Sequence, residues 1–210
     1  MEIIILAGGQ GKRLRPLTQD IPKCMVPVNG QPMLEYHLKW LKKYDVSKVV
    51  VACGYKWEKI KEHYGKNLVY SVEDEPLGTG GAIKLALEHI EGDEFFVLNS
   101  DDINNADLGK MMKIGANTVA VSQFHSQFGI VETKGDMITE FRQKPLLPYW
   151  ANMGLYMLSR KLNYPKNGAI ETEILPQLAK KNQLNAFRHT GYWVTINTMK
   201  ELDEAAEFLK

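Results

Sequence analysis

The chain has 210 residues, enough for one domain with a sizeable core and a subsidiary lobe, but not for two independent proteins. Lysine and arginine total 26 against 25 for aspartate and glutamate, so the formal net charge of +1 excludes a global field that would gather nucleic acid or an anionic membrane. Cys24 and Cys53 are too few for a disulfide framework or a metal cluster, no apolar run reaches membrane-spanning length, and the start lacks a signal-peptide pattern, so a reducing cytoplasm is the expected location.

Residues 2–6, Glu-Ile-Ile-Ile-Leu, read as a buried strand that leads directly into Ala7-Gly8-Gly9-Gln10-Gly11-Lys12-Arg13-Leu14-Arg15-Pro16-Leu17-Thr18. The three glycines let backbone N–H groups approach an anion, and Lys12, Arg13 and Arg15 add cationic donors, so this is a phosphate-handling loop. Lys23 follows, ahead of a turn signal at Asn29-Gly30, and can return to the same pocket. Gly11-Lys12 is followed by Arg13 rather than Ser or Thr, which excludes a P-loop. Leu14 or Arg13 stands where a dinucleotide fingerprint needs its third glycine. Cys24 reads as a small buried filler, not as a thiol activated by Lys23.

Leu34, Leu38 and Leu41 have helical spacing, residues 48–53 read as a buried strand, 57–64 as a short helix and 67–72 as another strand. Residues 73–82, Glu-Asp-Glu-Pro-Leu-Gly-Thr-Gly-Gly-Ala, make a second glycine-rich loop against which a flat ring can lie. An amphipathic stripe of Ile83, Leu87 and Ile90 follows, then a strand over 94–98 ending at Asn99-Ser100-Asp101-Asp102. This alternation argues for a Rossmann-like α/β fold, a mixed, mostly parallel sheet flanked by helices, with each candidate site just beyond a strand's carboxyl end. Asp101 is a hard-oxygen ligand suited to Mg2+, which takes only one or two protein carboxylates beside substrate phosphates; Asp102 reads as a helix N-cap or an outer acceptor. From Asn117 the strands shorten, at 118–123, 129–132, 137–141 and 153–158, and suggest a second lobe. A helix over 171–181, strands near 186–188 and 192–196, and a terminal helix over 199–209 complete it. Two lobes of one domain, 1–116 and 117–210, are therefore expected.

Gly-Gly-x-Gly-x-Arg-Leu-x-Pro-Leu-Thr, with Lys23 ten residues after Arg13, resembles the signature of the sugar-phosphate nucleotidyltransferases. The wording Pro76-Leu77-Gly78-Thr79-Gly80-Gly81-Ala82 is most similar to members that transfer guanylate to mannose or heptose 1-phosphates. The resemblance covers essentially the whole chain and implies the nucleotide-diphospho-sugar transferase fold, a nucleoside triphosphate (GTP favoured) and a sugar 1-phosphate as partners, and Mg2+ as cofactor. Arg13, Lys23 and Asp101 are the implied catalytic residues, with Asp101 on the metal. Leu6, Ala7, Gly8, Gly9, Gly11, Gly78, Thr79 and Gly80 are implied in nucleotide binding, and Phe128, Gly129, Gln143, Lys144, Asn152 and Glu171 in sugar phosphate binding. Homodimerisation is compatible with this reading. Many relatives continue into a β-helix of hexapeptide repeats, and no such repeat is present here.

Two departures stand out. Gln143 occupies the place of a sugar-binding glutamate, and Thr195, in Gly191-Tyr192-Trp193-Val194-Thr195-Ile196-Asn197-Thr198, the place of the second metal-binding aspartate of a Gly-Tyr-Trp-x-Asp-Ile-Gly-Thr pattern. They leave a second reading open, a weakly active or inactive regulatory paralogue that binds sugar nucleotide and partners an active subunit.

Overall fold

The computed structural model describes residues 1–210. In chain order the elements are β1 (Glu2–Leu6), β2 (Pro27–Val28), β3 (Gln31–Pro32), α1 (Met33–Leu41), β4 (Lys48–Cys53), α2 (Trp57–Tyr64) and β5 (Val69–Val72). They continue with α3 (Gly78–Ala86), β6 (Glu94–Asn99), β7 (Asp102–Asn104), α4 (Leu108–Ile114), β8 (Thr118–His125), β9 (Ile130–Lys134) and β10 (Met137–Arg142). The last are β11 (Leu146–Ser159), α5 (Ile170–Glu173), α6 (Leu175–Lys180), β12 (Asn185–Arg188), β13 (Trp193–Thr195) and α7 (Met199–Phe208).

A seven-stranded sheet in the order β12-β8-β11-β6-β1-β4-β5 organises the chain. β1 lies in its interior, parallel to β4 on one side and β6 on the other, which is why Ile3, Ile4 and Ile5 are all fully buried. β11 runs antiparallel to both β6 and β8 and so joins the two halves of the chain in one sheet. Ile3, Ile5 and Leu98 pack with Leu34, Trp40 and Met111 on one face. On the other, Ile4, Val50 and Val97 pack with Ile83, Tyr156 and Leu175, so α1 and α4 cover one side and α3, α5 and α6 the other. A third cluster, including Leu14, Val26, Ile103, Ile196 and Leu202, clamps the phosphate loop between β7, β13 and α7.

Several elements differ from the sequence expectations for identifiable reasons. β11 begins at Leu146, not 153, and Pro148 is tolerated because pairing with β8 slips between Leu146 and Trp150. α3 starts at Gly78, ahead of the glycine pair. Gly80 and Gly81 are buried where a Cβ would stand 2.6 Å from Pro165 Cγ and from the Lys166 carbonyl oxygen, so their smallness lets the 165–168 segment cross the helix. The helix expected over 171–181 is split into α5 and α6 at Ile174, with Pro176 in the first turn of the second piece. Asp102 opens β7 and caps no helix.

Candidate active site

The phosphate loop leaves β1 and turns through Gly11 in the left-handed region, φ +60°, then Lys12–Leu14 make a single 3-10 turn. The Thr18 hydroxyl donates to the Gly11 carbonyl at 2.8 Å, and the Tyr55 hydroxyl donates to the Thr18 carbonyl at 3.1 Å, so the loop is tied across its mouth and to β4's far end. Leu14 is fully buried while Lys12 and Arg13 project outward, and Lys23 enters from a second 3-10 turn anchored by buried Cys24. Burial pushes the Cys24 thiol far above its ordinary value, in keeping with an inert filler.

Asp101 lies in the turn between β6 and β7. That turn is held by the Ser100 N–H donating to Leu6 O at 3.1 Å and by His37 Nε2 at 3.1 Å from Ser100 O. Leu6, Gly9, Gly11, Lys12, Arg13, Lys23, Ser100, Asp101 and Asn197 together line a cavity of about 270 Å3. Inside it Lys23 Nζ forms an ion pair with Asp101 Oδ2 and donates to Asn197 Oδ1 at 2.7 Å; Arg13 donates to the same oxygen at 3.1 Å. Thus Arg13, Lys23 and Asp101 meet as expected, and Asn197, which the sequence reading did not select, sits among them.

An adjoining cavity of about 340 Å3 shares Leu6, Gly9 and Asp101 and is lined further by Gly8, Glu73, Pro76, Gly78, Thr79 and Asn99. Gly8 and Gly78 stand in its wall, and its volume suits a nucleoside. Gly80 does not line it, and Ala7 is buried beneath the loop with its N–H donating to Ala52 O at 2.7 Å. Beside it, the Thr79 hydroxyl donates to Glu171 Oε2 at 2.6 Å and the Tyr156 hydroxyl donates to Glu171 Oε1 at 3.1 Å. Asn152 Nδ2 donates to Tyr156 at 2.6 Å, so Asn152 and Glu171 belong to one network reaching the second loop. Gly154, φ +66°, is compelled by the same crowding: a Cβ there would strike Asn99 Nδ2 and Asp102 Oδ2.

The remaining sugar-binding candidates stand apart from both cavities. Gln143 abuts Gly129 at the base of the β9–β10 hairpin, while Lys144 is exposed with a positive φ of 47°. Phe128, 75% exposed, reaches a separate and larger cavity of about 870 Å3 shared with Trp193 and Thr195. That cavity has no Arg13, Lys23 or Asp101 in its walls; the charged groups converge in the smaller one.

Asp102 pairs across the β7–β13 ladder with Thr195, accepting from Trp193 Nε1 at 2.9 Å and Asn99 Nδ2 at 3.1 Å. Burial first, then the Asp101 charge, pushes its carboxyl up to about 6, against the pull of these hydrogen bonds.

A profile of the family described as nucleotidyl transferase matches residues 2–210. The chain belongs to that family. It is 38% identical over 173 residues to the D-glycero-alpha-D-manno-heptose 1-phosphate guanylyltransferase of Campylobacter jejuni, covering 77% of each chain. It is 35% identical over 225 residues to the mannose-1-phosphate guanyltransferase of Candida albicans, where 96% of this chain spans 62% of that protein's length. The crystal structure of HddC from Yersinia pseudotuberculosis complexed with GMP-PN superposes with a TM-score of 0.76 at 27% identity, covering 100% of this chain and 99% of that one. These likenesses bear out the mixed, mostly parallel nucleotidyltransferase fold read from the sequence.

Proposed function

We propose that this nucleotidyltransferase joins a nucleoside triphosphate, GTP favoured, to a sugar 1-phosphate, releasing pyrophosphate. The observation that carries the reading is the meeting of Arg13, Lys23 and Asp101 in one small cavity beside an open nucleoside-sized one, in a chain whose named relatives are guanylyltransferases. A phosphate oxygen of the sugar 1-phosphate attacks the α-phosphorus, a new P–O bond forms, and the bond to the β-phosphate oxygen breaks as pyrophosphate leaves. The acceptor phosphate has a second pKa of about 6 and is largely ionised at neutral pH, so no protein base is required. The protein's part is alignment and charge neutralisation. Lys23 is assigned to the α-phosphate and Arg13 to the departing pyrophosphate, with backbone donors from Gly8, Gly9 and Gly11 and the base over Gly78 and Thr79. Asn152 and Glu171 are the sugar-facing groups best supported by position; Phe128, Gly129, Gln143 and Lys144 are assigned to the sugar phosphate by the family resemblance.

The donor set fits Mg2+, a hard cation content with one carboxylate and substrate oxygens: Asp101 opens into the phosphate cavity. When bound, the ion would neutralise charge on the triphosphate from Asp101. Assay of pyrophosphate release across a matrix of nucleoside triphosphates and sugar 1-phosphates with Mg2+ tests the reading. Turnover of a GTP pair is expected; sugar nucleotide binding without turnover of any pair would favour the regulatory reading. We also propose a homodimer, for which the apolar face of the β9–β10 hairpin, with Val131, Ile138 and Phe141 partly exposed, is the candidate contact. No helix is long and apolar enough to cross a membrane, and synthesis of a sugar nucleotide fits a cytoplasmic site.

A further inference from the structure

Lys23 and Arg13 both donate to a single neutral oxygen, Asn197 Oδ1, at 2.7 and 3.1 Å, across 174 and 184 residues of chain. An amide oxygen has two lone pairs and can serve both. The other end of the amide fixes its orientation: Asn197 Nδ2 donates to Thr195 Oγ1 at 2.9 Å, and the reverse rotamer would turn an NH2 group toward two cations. Its backbone is held as well, because Glu201 Oε2 accepts from the N–H groups of Asn197 at 2.8 Å and Thr198 at 2.9 Å, the second belonging to the capping box of α7.

We propose that Asn197, oriented by Thr195, is a positioning residue that sets the two phosphate-binding cations before substrate arrives. Lys23 has three N–H donors; one is committed to Asp101 and one to Asn197, which leaves one for a ligand in the cavity that Lys23 lines. Arg13 keeps four of five for phosphate oxygens. Without Asn197 the ammonium can rotate about the Asp101 contact, and Arg13, an exposed side chain with no other polar partner in the structure, is released into solvent. The pair also gives the Thr195 departure a purpose. A carboxylate at 195 would place a third negative charge beside Asp101 and Asp102, whereas the hydroxyl accepts the amide and brings a neutral oxygen to the cations.

Only the kinetic arm of this proposal rests on the nucleotidyl-transfer reading, so it is tested in two ways. Calorimetric binding of inorganic pyrophosphate is measured for the wild type, Asn197→Ala, Asn197→Gly, Thr195→Ala, Thr195→Ser and the double variant Thr195→Ala/Asn197→Ala, with thermal melts of each. Asn197→Ala and Asn197→Gly should each weaken pyrophosphate about three- to tenfold at an unchanged melting temperature, Thr195→Ala about threefold, and Thr195→Ser hardly at all. The double variant should bind no worse than Asn197→Ala, since Thr195 acts through Asn197. In turnover of the productive pair, Asn197→Ala should lower kcat about tenfold and leave KM for the sugar phosphate within about twofold. Wild-type pyrophosphate affinity in both Asn197 variants, or losses that multiply in the double variant, would overturn the proposal. A wild type that binds pyrophosphate but turns over no pair refutes the transfer reading and leaves the binding arm to decide on Asn197.

Discussion

Arg13 shows how a side chain assigned to the chemistry can be separable from the fold that presents it. Its backbone is pinned by Leu14 inside the third core cluster, but the side chain is exposed and its guanidinium has Asn197 as its one hydrogen-bond partner. Arg13→Ala should therefore cut kcat/KM by about a hundredfold or more while shifting the melting temperature by less than about 2 °C. Parallel assays and melts check this; an active variant removes the assignment. His37 shows the reverse, a titratable group used for structure. Burial pushes its imidazole down to about 4 although Ser100 O and Asp101 pull it the other way, so the folded protein keeps it neutral while the unfolded chain protonates near 6.5. The unfolded state then binds more protons between those values, and His37 removes about 3 kcal/mol of stability as pH falls from 7 to 4. His37→Gln, which keeps an N–H for Ser100 O, should flatten that slope in denaturant titrations at stepped pH. An unaltered slope would show that other groups carry it.

At the scale of elements, the short β7–β13 pair decides what position 195 tolerates. Thr195 lies opposite Asp102, whose carboxyl is already raised to about 6 by burial and by Asp101. Thr195→Asp should thus lower the melting temperature of the metal-free protein by several degrees through like-charge crowding, and Mg2+ should restore part of the loss. Melts with and without Mg2+ measure both; a variant indifferent to Mg2+ would mean that the new carboxylate faces away from Asp101. The same pair marks where sequence reading ran out. Strands with uninterrupted apolar runs, such as β1, β4 and β6, were legible because burial on both faces dictates composition. β7 was not, because three residues led by aspartate look like the tail of a turn, and the first half of β11 was hidden by Pro145 and Pro148. Within the candidate site, Arg13 was legible as a cation just after a glycine-rich run, Lys23 as a second cation ahead of a turn signal, and Asp101 as a carboxylate just past a strand's end. Asn197 was missed because a neutral amide advertises nothing, although an asparagine where the family pattern has glycine was the available signal.

For the molecule as a whole, the β9–β10 hairpin stands outside the main sheet and is amphipathic across its two faces. Arg142 pairs with Glu132 at 2.9 Å and Glu140 at 3.3 Å on one face. A register shift between Ile138 and Glu140 brings Ile138 onto the other face with Val131 and Phe141, where they remain 57%, 43% and 63% exposed. If a second copy covers this face, Ile138→Lys with Phe141→Glu should convert a dimer to a well-folded monomer in sedimentation experiments. A wild-type monomer at micromolar concentration would refute the assembly.

The interior position of β1 has a consequence for biosynthesis. β1 is made before its neighbours, which begin at residues 48 and 94, and the loop after it finds a partner at residue 197. While the chain is being translated, its most apolar segment must wait without lateral partners, a natural substrate for a ribosome-associated chaperone. The cavity lined by Arg13, Lys23 and Asp101 likewise stays incomplete until Asn197 has emerged.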